Sequence, residues 1–456
     1  MRQGRDSAVK IDMIHGKMFR KILIFSLPLI ASGILQQSFN AIDVAVVGRF
    51  STSQALAAVG STGVIVSIMI NLFLGISVGA NVVIANYIGQ HNENGIRKSI
   101  RTVAALAIIS GLLLCFIGMT FARPILEMMN TPHDVIDLAA KYLKIFFLGM
   151  PFMMIYNFGA AVLRSLGDTK RPFYSLVIAG IANTMLNLVL VIYFGMSVEG
   201  VAIATVAANV INAAFITYWL THEKEPYNLE WRKTSIVTPE LRKILRIGIP
   251  AGLQGMVFST ANIFIQSSIN EYGSTAVAGS AAALNYELYC YFIMVAFSQA
   301  AVAFVSQNYG AGLYDRCRRA VRLCMIMSVI NVGAANLLIV LFDNFFISLF
   351  STSAGVMEYA AVRLHYVLMF QFIASSYEIC GAAMRALGFS MTPTVLTIFG
   401  TCVLRLIWVY TVAEHHRDFG LLLIIYPITW VVTGAMVVWA YLRACRKAFT
   451  TSPETM

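Results

Sequence analysis

The chain has 456 residues, of which 58% are hydrophobic and only 12% charged, with a formal net charge of +11. A soluble globular domain carries roughly twice that charged fraction, so this composition lacks the polar surface a water-exposed fold needs and points to lipid as the solvent. The basic excess is not a nucleic-acid signature, because the Lys and Arg residues fall between apolar runs rather than on one polar face.

A helix needs about 20 apolar residues to cross the hydrocarbon. Taken in chain order, and bounded by charges, Pro and Gly, the runs predict twelve spans: 22–48, 57–84, 102–122, 138–162, 173–194 and 198–220, then 247–269, 279–306, 323–342, 359–384, 392–412 and 419–442. The first run is followed by many like it, so it reads as a span and not as a cleaved signal. Gly195 and Glu199 mark the short turn between spans 5 and 6. Gly75 and Gly79 form a small-xxx-small pair in span 2, the pattern of close helix contact. The seven cysteines are scattered, mostly in apolar runs and with no metal spacing, and read as small apolar residues. His415 and His416 fall in a loop and read as solvated.

Of the 33 Lys and Arg residues, 26 lie at the termini and in the even-numbered loops; the opposite side holds Arg49, Arg123, Lys141, Lys144, Arg363 and Arg417, and Arg405 sits inside span 11. The positive-inside rule then places both termini in the cytoplasm.

The sequence also repeats. RKILIFSLP (20–28) resembles RKILRIGIP (242–250), NYIG (86–89) is echoed by QNYG (307–310), and GAAVLRSLGDTKRP (159–172) by GAAMRALGFSMTP (381–393), all at an offset of 221 to 222. Six spans separate each pair, so the halves have the same orientation and form parallel repeats about an axis along the membrane normal. The expected division is an N-terminal six-helix lobe (1–220), a polar linker (221–246) and a C-terminal six-helix lobe (247–456).

Three acids, Asp43, Glu287 and Glu378, and one base, Arg405, are the charges read as embedded within spans, while Glu199, Lys141, Lys144 and Arg363, near the starts of their spans, are assigned to the loops. A charge at the bilayer centre costs about 2.5–3.5 kcal/mol on insertion scales, so each needs a reason. Gln36, Asn40 and Asp43 share one face of span 1, and a polar stripe must face protein or water. Pro28, lower in the same span, can bend it. At about 1.5 Å per residue, Asp43 sits roughly 8 Å below the outer end. Asn187 in span 5 and Thr205 in span 6 fall at the same depth, with Asn183 one turn below. One carboxylate, two amides and a hydroxyl suit a small hard cation or a proton. In the second half Asn262 stands where Asn40 does, but no acid matches Asp43. Glu287 and Arg405, both in the outer half, are expected to pair, and Glu378 to face an inner vestibule. The 22 methionines and many aromatics suit an adaptable cavity as well as packing and lipid contact.

LPLIASGILQQSFNAIDVAVVGRF (27–50), ALAAVGSTG (55–63), YIGQ (87–90) and AAVLRSLGDTKRP (160–172) resemble the multidrug and toxic compound extrusion family over nearly the whole chain. The resemblance implies an all-α membrane fold, twelve helices in two six-helix lobes around a V-shaped cavity, and antiport of drugs against H+ or Na+. It also implies an N-lobe pocket at Asp43, Asn183, Asn187 and Thr205; many members carry an aspartate at the position of Asn187. Some sodium-coupled members use acids on helices seven and ten as well, and span 7 here has none. Gln36, Asn40, Asn262, Glu287, Glu378 and Arg405 are the expected cavity residues. Expected, then, is a monomeric inner-membrane exporter of small organic cations, with no nucleic-acid partner, no resident cofactor and no catalytic constellation. The competing readings are a lipid-linked oligosaccharide flippase, which would carry a strongly cationic cavity, and a major-facilitator transporter, whose basic loop after helix 2 is not seen in QHNENGIRKSIRT (90–102). A channel or a membrane enzyme is the reading from another class.

Overall fold

Each predicted apolar run folds as helix, since backbone groups in hydrocarbon have no water to bond and must be paired within the segment. In a computed structural model, residues 10–129, 131–413, 415–416 and 418–450 are described; Arg417, one of the bases assigned to the outer side, lies outside them. Among the described residues ten helices are long and apolar enough to cross a membrane. They are Met18–Phe50 (span 1), Gln54–Gly89 (span 2), Glu93–Met128 (span 3), Lys170–Tyr193 (span 5), Val198–Thr221 (span 6), Ser274–Gly310 (span 8), Tyr314–Leu341 (span 9), Ala354–Ala386 (span 10), Met391–Ala413 (span 11) and Phe419–Ala448 (span 12). Span 4 is a pair, His133–Leu148 and Met150–Ser165, bent by 47°. The break sits at Gly149, followed by Pro151, whose missing N–H suits a helix start. Span 7, Thr238–Asn270, has spanning length but is less apolar than these, because Gln254, Ser259, Thr260, Asn262 and Gln266 interrupt it. With these two the count is twelve.

Short polar residues start several helices. Thr52 accepts from Ala55 N–H at 3.2 Å, Asn92 from Gly95 N–H at 2.9 Å, and Asp418 from Leu421 N–H at 3.0 Å, each meeting a donor the first turn cannot bond internally. The repeat is written into the backbone. Positive φ occurs at His91 (54°) and Gly312 (72°), and at Gly167 (85°) and Gly388 (86°), both pairs separated by the offset seen in the sequence.

The chain forms two compact units: one of 10–12 and Ala31–Ile249, the other of Met13–Ile30 and 250–450. This division differs from a simple halving at the linker. Span 1 changes unit between Ile30 and Ala31, two residues past Pro28, and span 7 changes unit at Pro250. An apolar run announces a helix but not which neighbours its first turns pack against.

Packing in the N-terminal unit uses small residues to bring backbones together. A side chain at Gly79 would place its Cβ 2.3 Å from Ile244 O, and one at Gly248 would lie 2.4 Å from Ile76 Cα and 3.0 Å from Gly75 O. The glycine pair foreseen in span 2 is thus the crossing point with the first turns of span 7. Gly79→Val drives a side chain into backbone that cannot yield. It is expected to cost more than the usual 1–3 kcal/mol of overpacking, read as a lowered thermal midpoint and a smaller folded fraction in detergent.

On the linker side of this unit, Asp168 accepts from the N–H groups of Lys170 and Arg171, each at 3.1 Å, and caps span 5. Arg171 also reaches Asp168 and, at 2.5 Å, Glu223, which is bonded to Lys10 as well. Burial alone would push the Glu223 carboxyl up, but Lys10 and Arg171 outweigh it and hold it below the usual carboxylate range. A carboxylate held low in the fold stabilises it above its unfolded pKa, and that stabilisation is lost as pH falls through the lowered value. Glu223→Gln should therefore cost about 1–3 kcal/mol near neutrality and flatten the acid limb of the thermal midpoint below about pH 4.

Candidate functional site

The predicted acid site assembles in the N-terminal unit. Phe39 of span 1 packs on Gly180 of span 5, where any Cβ would lie 1.8 Å from the ring. This contact sets the two helices in register, and one turn further along span 1 and two along span 5 Asn187 Nδ2 donates to Asp43 Oδ1. Asn187 Nδ2 also lies 3.4 Å from Asn183 Oδ1. Asn187 is 0% exposed, Asn183 is buried and Asp43 half-buried. The Asn187 Oδ1 atom is buried without a hydrogen-bond partner among the described residues. An orphaned acceptor there, beside a carboxylate, is the environment a cation or a hydronium-like donor would complete.

Thr205 contributes less than its depth suggests. Its hydroxyl donates to Val201 O at 2.9 Å, on its own helix, and makes no bond to Asp43. Its oxygen keeps lone pairs to offer. Tyr142, on span 4, lies within electrostatic reach of Asp43 and was not foreseen; nothing in a single sequence ties that tyrosine to span 1. Span 5 continues past Asn187 as a π-helical turn, Val189–Tyr193, the kind of irregular turn often found at functional sites.

Gln36, Asn40 and Asn262 are exposed and make no hydrogen bonds among the described residues. Span 1 therefore presents a polar stripe that its own unit does not cover.

The C-terminal unit corrects one expectation outright. Glu287 does not pair with Arg405. It is held by Arg363, with Nε to Oε1 at 2.6 Å and Nη2 to Oε2 at 3.0 Å, while Arg363 Nη1 reaches Ser280. Arg363 was assigned to an outer loop on account of its charge. It lies instead within the helix Ala354–Tyr366, 3% exposed, against a Glu287 that is 7% exposed. The bidentate fork on a carboxylate meets the geometry that makes a buried pair tolerable. Gln371 donates to Glu287 O at 2.9 Å and closes the cluster.

Arg405 is 1% exposed. Its Nε donates to Thr429 Oγ1 at 3.1 Å, and the guanidinium lies over Tyr426 at 4.2 Å, with Trp430 and Phe258 each at 5.9 Å. Glu378 is half-buried and makes no hydrogen bond or ion pair among the described residues. Arg385, on its own helix, is the charge it feels most, and Arg385 Nη2 donates to Gln254 Oε1 at 2.8 Å. The seven cysteines are free, six of them buried, in keeping with their reading as apolar fillers. His415 and His416 are exposed.

These features, two repeats of six helices at one sequence offset, define a multi-helix membrane-transporter class. The MatE family model matches residues 28–189 and again 250–411, so the internal repeat is a duplication of one family unit at an offset of 222. The chain belongs to the MatE family, the multidrug and toxic compound extrusion transporters. It is 31% identical over 392 residues to the probable multidrug resistance protein YoeA of Bacillus subtilis, covering 84% of each chain. It is 28% identical to the probable multidrug resistance protein YpnP of the same organism, covering 86% of this chain and 88% of that one. A solved outward-facing structure of a multidrug resistance MATE family transporter superposes with a TM-score of 0.90 at 22% identity, covering 97% of this chain and 99% of the other. That likeness establishes the fold.

Proposed function

We propose that the protein is a secondary antiporter that exports organic cations in exchange for inward-moving H+ or Na+, with Asp43 as the coupling carboxylate. The observation that carries this reading is the pairing of Asp43 with the Asn187 amide, next to an Asn187 oxygen that no group among the described residues satisfies. Asp43, Asn183 and Asn187 bring oxygens together from two helices, and Thr205 on a third would add a hydroxyl, the donor set a small hard cation prefers. The multidrug names of the relatives point to the cargo class. The charge asymmetry of the loops supports cytoplasmic termini in an inner membrane, and the protein is taken to act as a monomer.

In the proposed cycle, a proton or Na+ arriving from outside neutralises Asp43. The neutral site no longer attracts a cationic cargo, which leaves, and the ion-loaded state returns inward. Coupling requires the ion to bind the two states with different affinity. Pro28, two residues before span 1 changes unit, removes one backbone hydrogen bond from that helix and is the hinge through which ion binding at Asp43 would act. The test is uptake of a fluorescent organic cation by proteoliposomes under an imposed ΔpH or an imposed ΔNa+. Uptake that one gradient accelerates, and that collapses when the gradient is dissipated, supports the reading and names the ion. Uptake indifferent to both removes the antiport claim.

A further inference from the structure

We propose that Arg405 anchors a second, oppositely charged site, contained within the C-terminal unit, that binds an oxyanion: the carboxylate or phosphate group of a ligand. This goes beyond the coupling reading, which rests on Asp43 in the other unit, and either can fail without the other.

The argument begins with unmet hydrogen bonds. A guanidinium has five N–H donors. Among the described residues Arg405 uses one, Nε to Thr429, and its Nη2 is enclosed without a partner. The flat face of the group lies over Tyr426. Cation–π contact with Tyr426, Trp430 and Phe258 compensates part of the charge, but it leaves the N–H edge unbonded. That edge is the planar fork that takes carboxylate or phosphate in bidentate fashion.

The local charge count points the same way. The carboxylate of this cluster, Glu287, is already held at both oxygens by Arg363. Arg363 also lies over Tyr426, 5.9 Å from the ring centroid. One tyrosine ring is thus flanked by two buried guanidiniums and served by one carboxylate. A buried cation without a counter-ion is costly, and an incoming oxyanion would supply it.

The repeat adds an independent observation. At the offset of 221, Arg405 of span 11 stands where Thr184 stands in span 5, and the Thr184 hydroxyl is likewise buried without a partner. The π-helical turn 409–413 of span 11 falls within one residue of the position equivalent to Val189–Tyr193 of span 5. Span 11 has a further π-helical segment, Ile398–Val403, just before Arg405, so the arginine sits on a short α-helical stretch between two widened turns. Such turns are enriched at functional sites and allow local repacking, which an enclosed guanidinium needs to admit a ligand. The two halves therefore present an acid on one side of the duplication and a base on the other.

The test uses full-length protein in phosphatidylcholine nanodiscs, titrated with benzoate or with inorganic phosphate at constant ionic strength against chloride. Thermal midpoint and tryptophan fluorescence are followed, since Trp430 lies beside the guanidinium. The wild type is expected to show a saturable rise in midpoint with at least one probe. Arg405→Lys, which keeps the charge but not the fork, should raise the half-saturating concentration at least tenfold, and Arg405→Met should abolish the response. Arg443→Gln, at an exposed arginine stacked on Trp439, should leave it as in the wild type. If Arg405→Met does not fold, the lysine variant decides. Repeating the titration with phosphatidylglycerol in the discs separates sources. A response lost there assigns the occupant to a lipid phosphate, and a response kept in both assigns it to a soluble solute. No saturable response in the wild type in either lipid, or an undiminished one in Arg405→Lys, overturns the proposal.

Discussion

Glu287→Ala is expected to destabilise the C-terminal unit by about 3–5 kcal/mol, the usual cost of removing one partner from a buried ion pair. The loss is not that of the contact alone. Arg363 would remain 3% exposed with its fork emptied, and Tyr426 would be left between two uncompensated guanidiniums. Arg363→Met should cost a similar amount by stranding the carboxylate. The double variant Glu287→Leu with Arg363→Met removes both charges and is expected to lie within about 2 kcal/mol of the wild type, since well-packed apolar replacements of buried pairs are commonly neutral or better. Thermal melts of the wild type, Glu287→Leu, Arg363→Met and the double variant in one detergent give the cycle directly. Additive single effects would show that the pair is not the buried, mutually dependent unit described above.

Asp43→Asn is expected to reduce gradient-driven efflux at least tenfold while leaving the fold intact. The amide is nearly the same size as the carboxylate, and it can still accept from Asn187 through its carbonyl oxygen. What it loses is the ability to exchange a charge. The prediction is checked in sealed vesicles with an imposed gradient, alongside equilibrium binding of the same organic cation in detergent. Wild-type coupled efflux in the variant would exclude Asp43 from the cycle. A variant that still binds cargo but no longer responds to the gradient would separate coupling from recognition.

The membrane architecture was legible because lipid enforces it: every apolar run of spanning length had to be helical, and the duplication left matching motifs at one offset. The acid site was legible for the same reason. Asp43, Asn183 and Asn187 are polar groups in hydrocarbon, and helical spacing put each at a computable depth. Arg363 was not legible. A charge near the start of an apolar run reads equally well as a boundary, and only the fold brings it against Glu287, 76 positions away in the chain. With Arg363 misplaced, Glu287 was left to the other available base, Arg405. Thr205 was misjudged more gently, since depth cannot reveal that a threonine hydroxyl is bonded to its own helix. The change of unit within spans 1 and 7 had no sequence signature beyond the two prolines near it.

That change of unit has a consequence for the covalent chain. If the peptide were cut in the linker, the first fragment would still carry Met13–Ile30, which packs in the C-terminal unit, and the second would begin with the turn that fills the groove along Gly79. Neither fragment could complete its own bundle alone. The two pieces dovetail, and severed halves made side by side would be held together by the helices each lends the other.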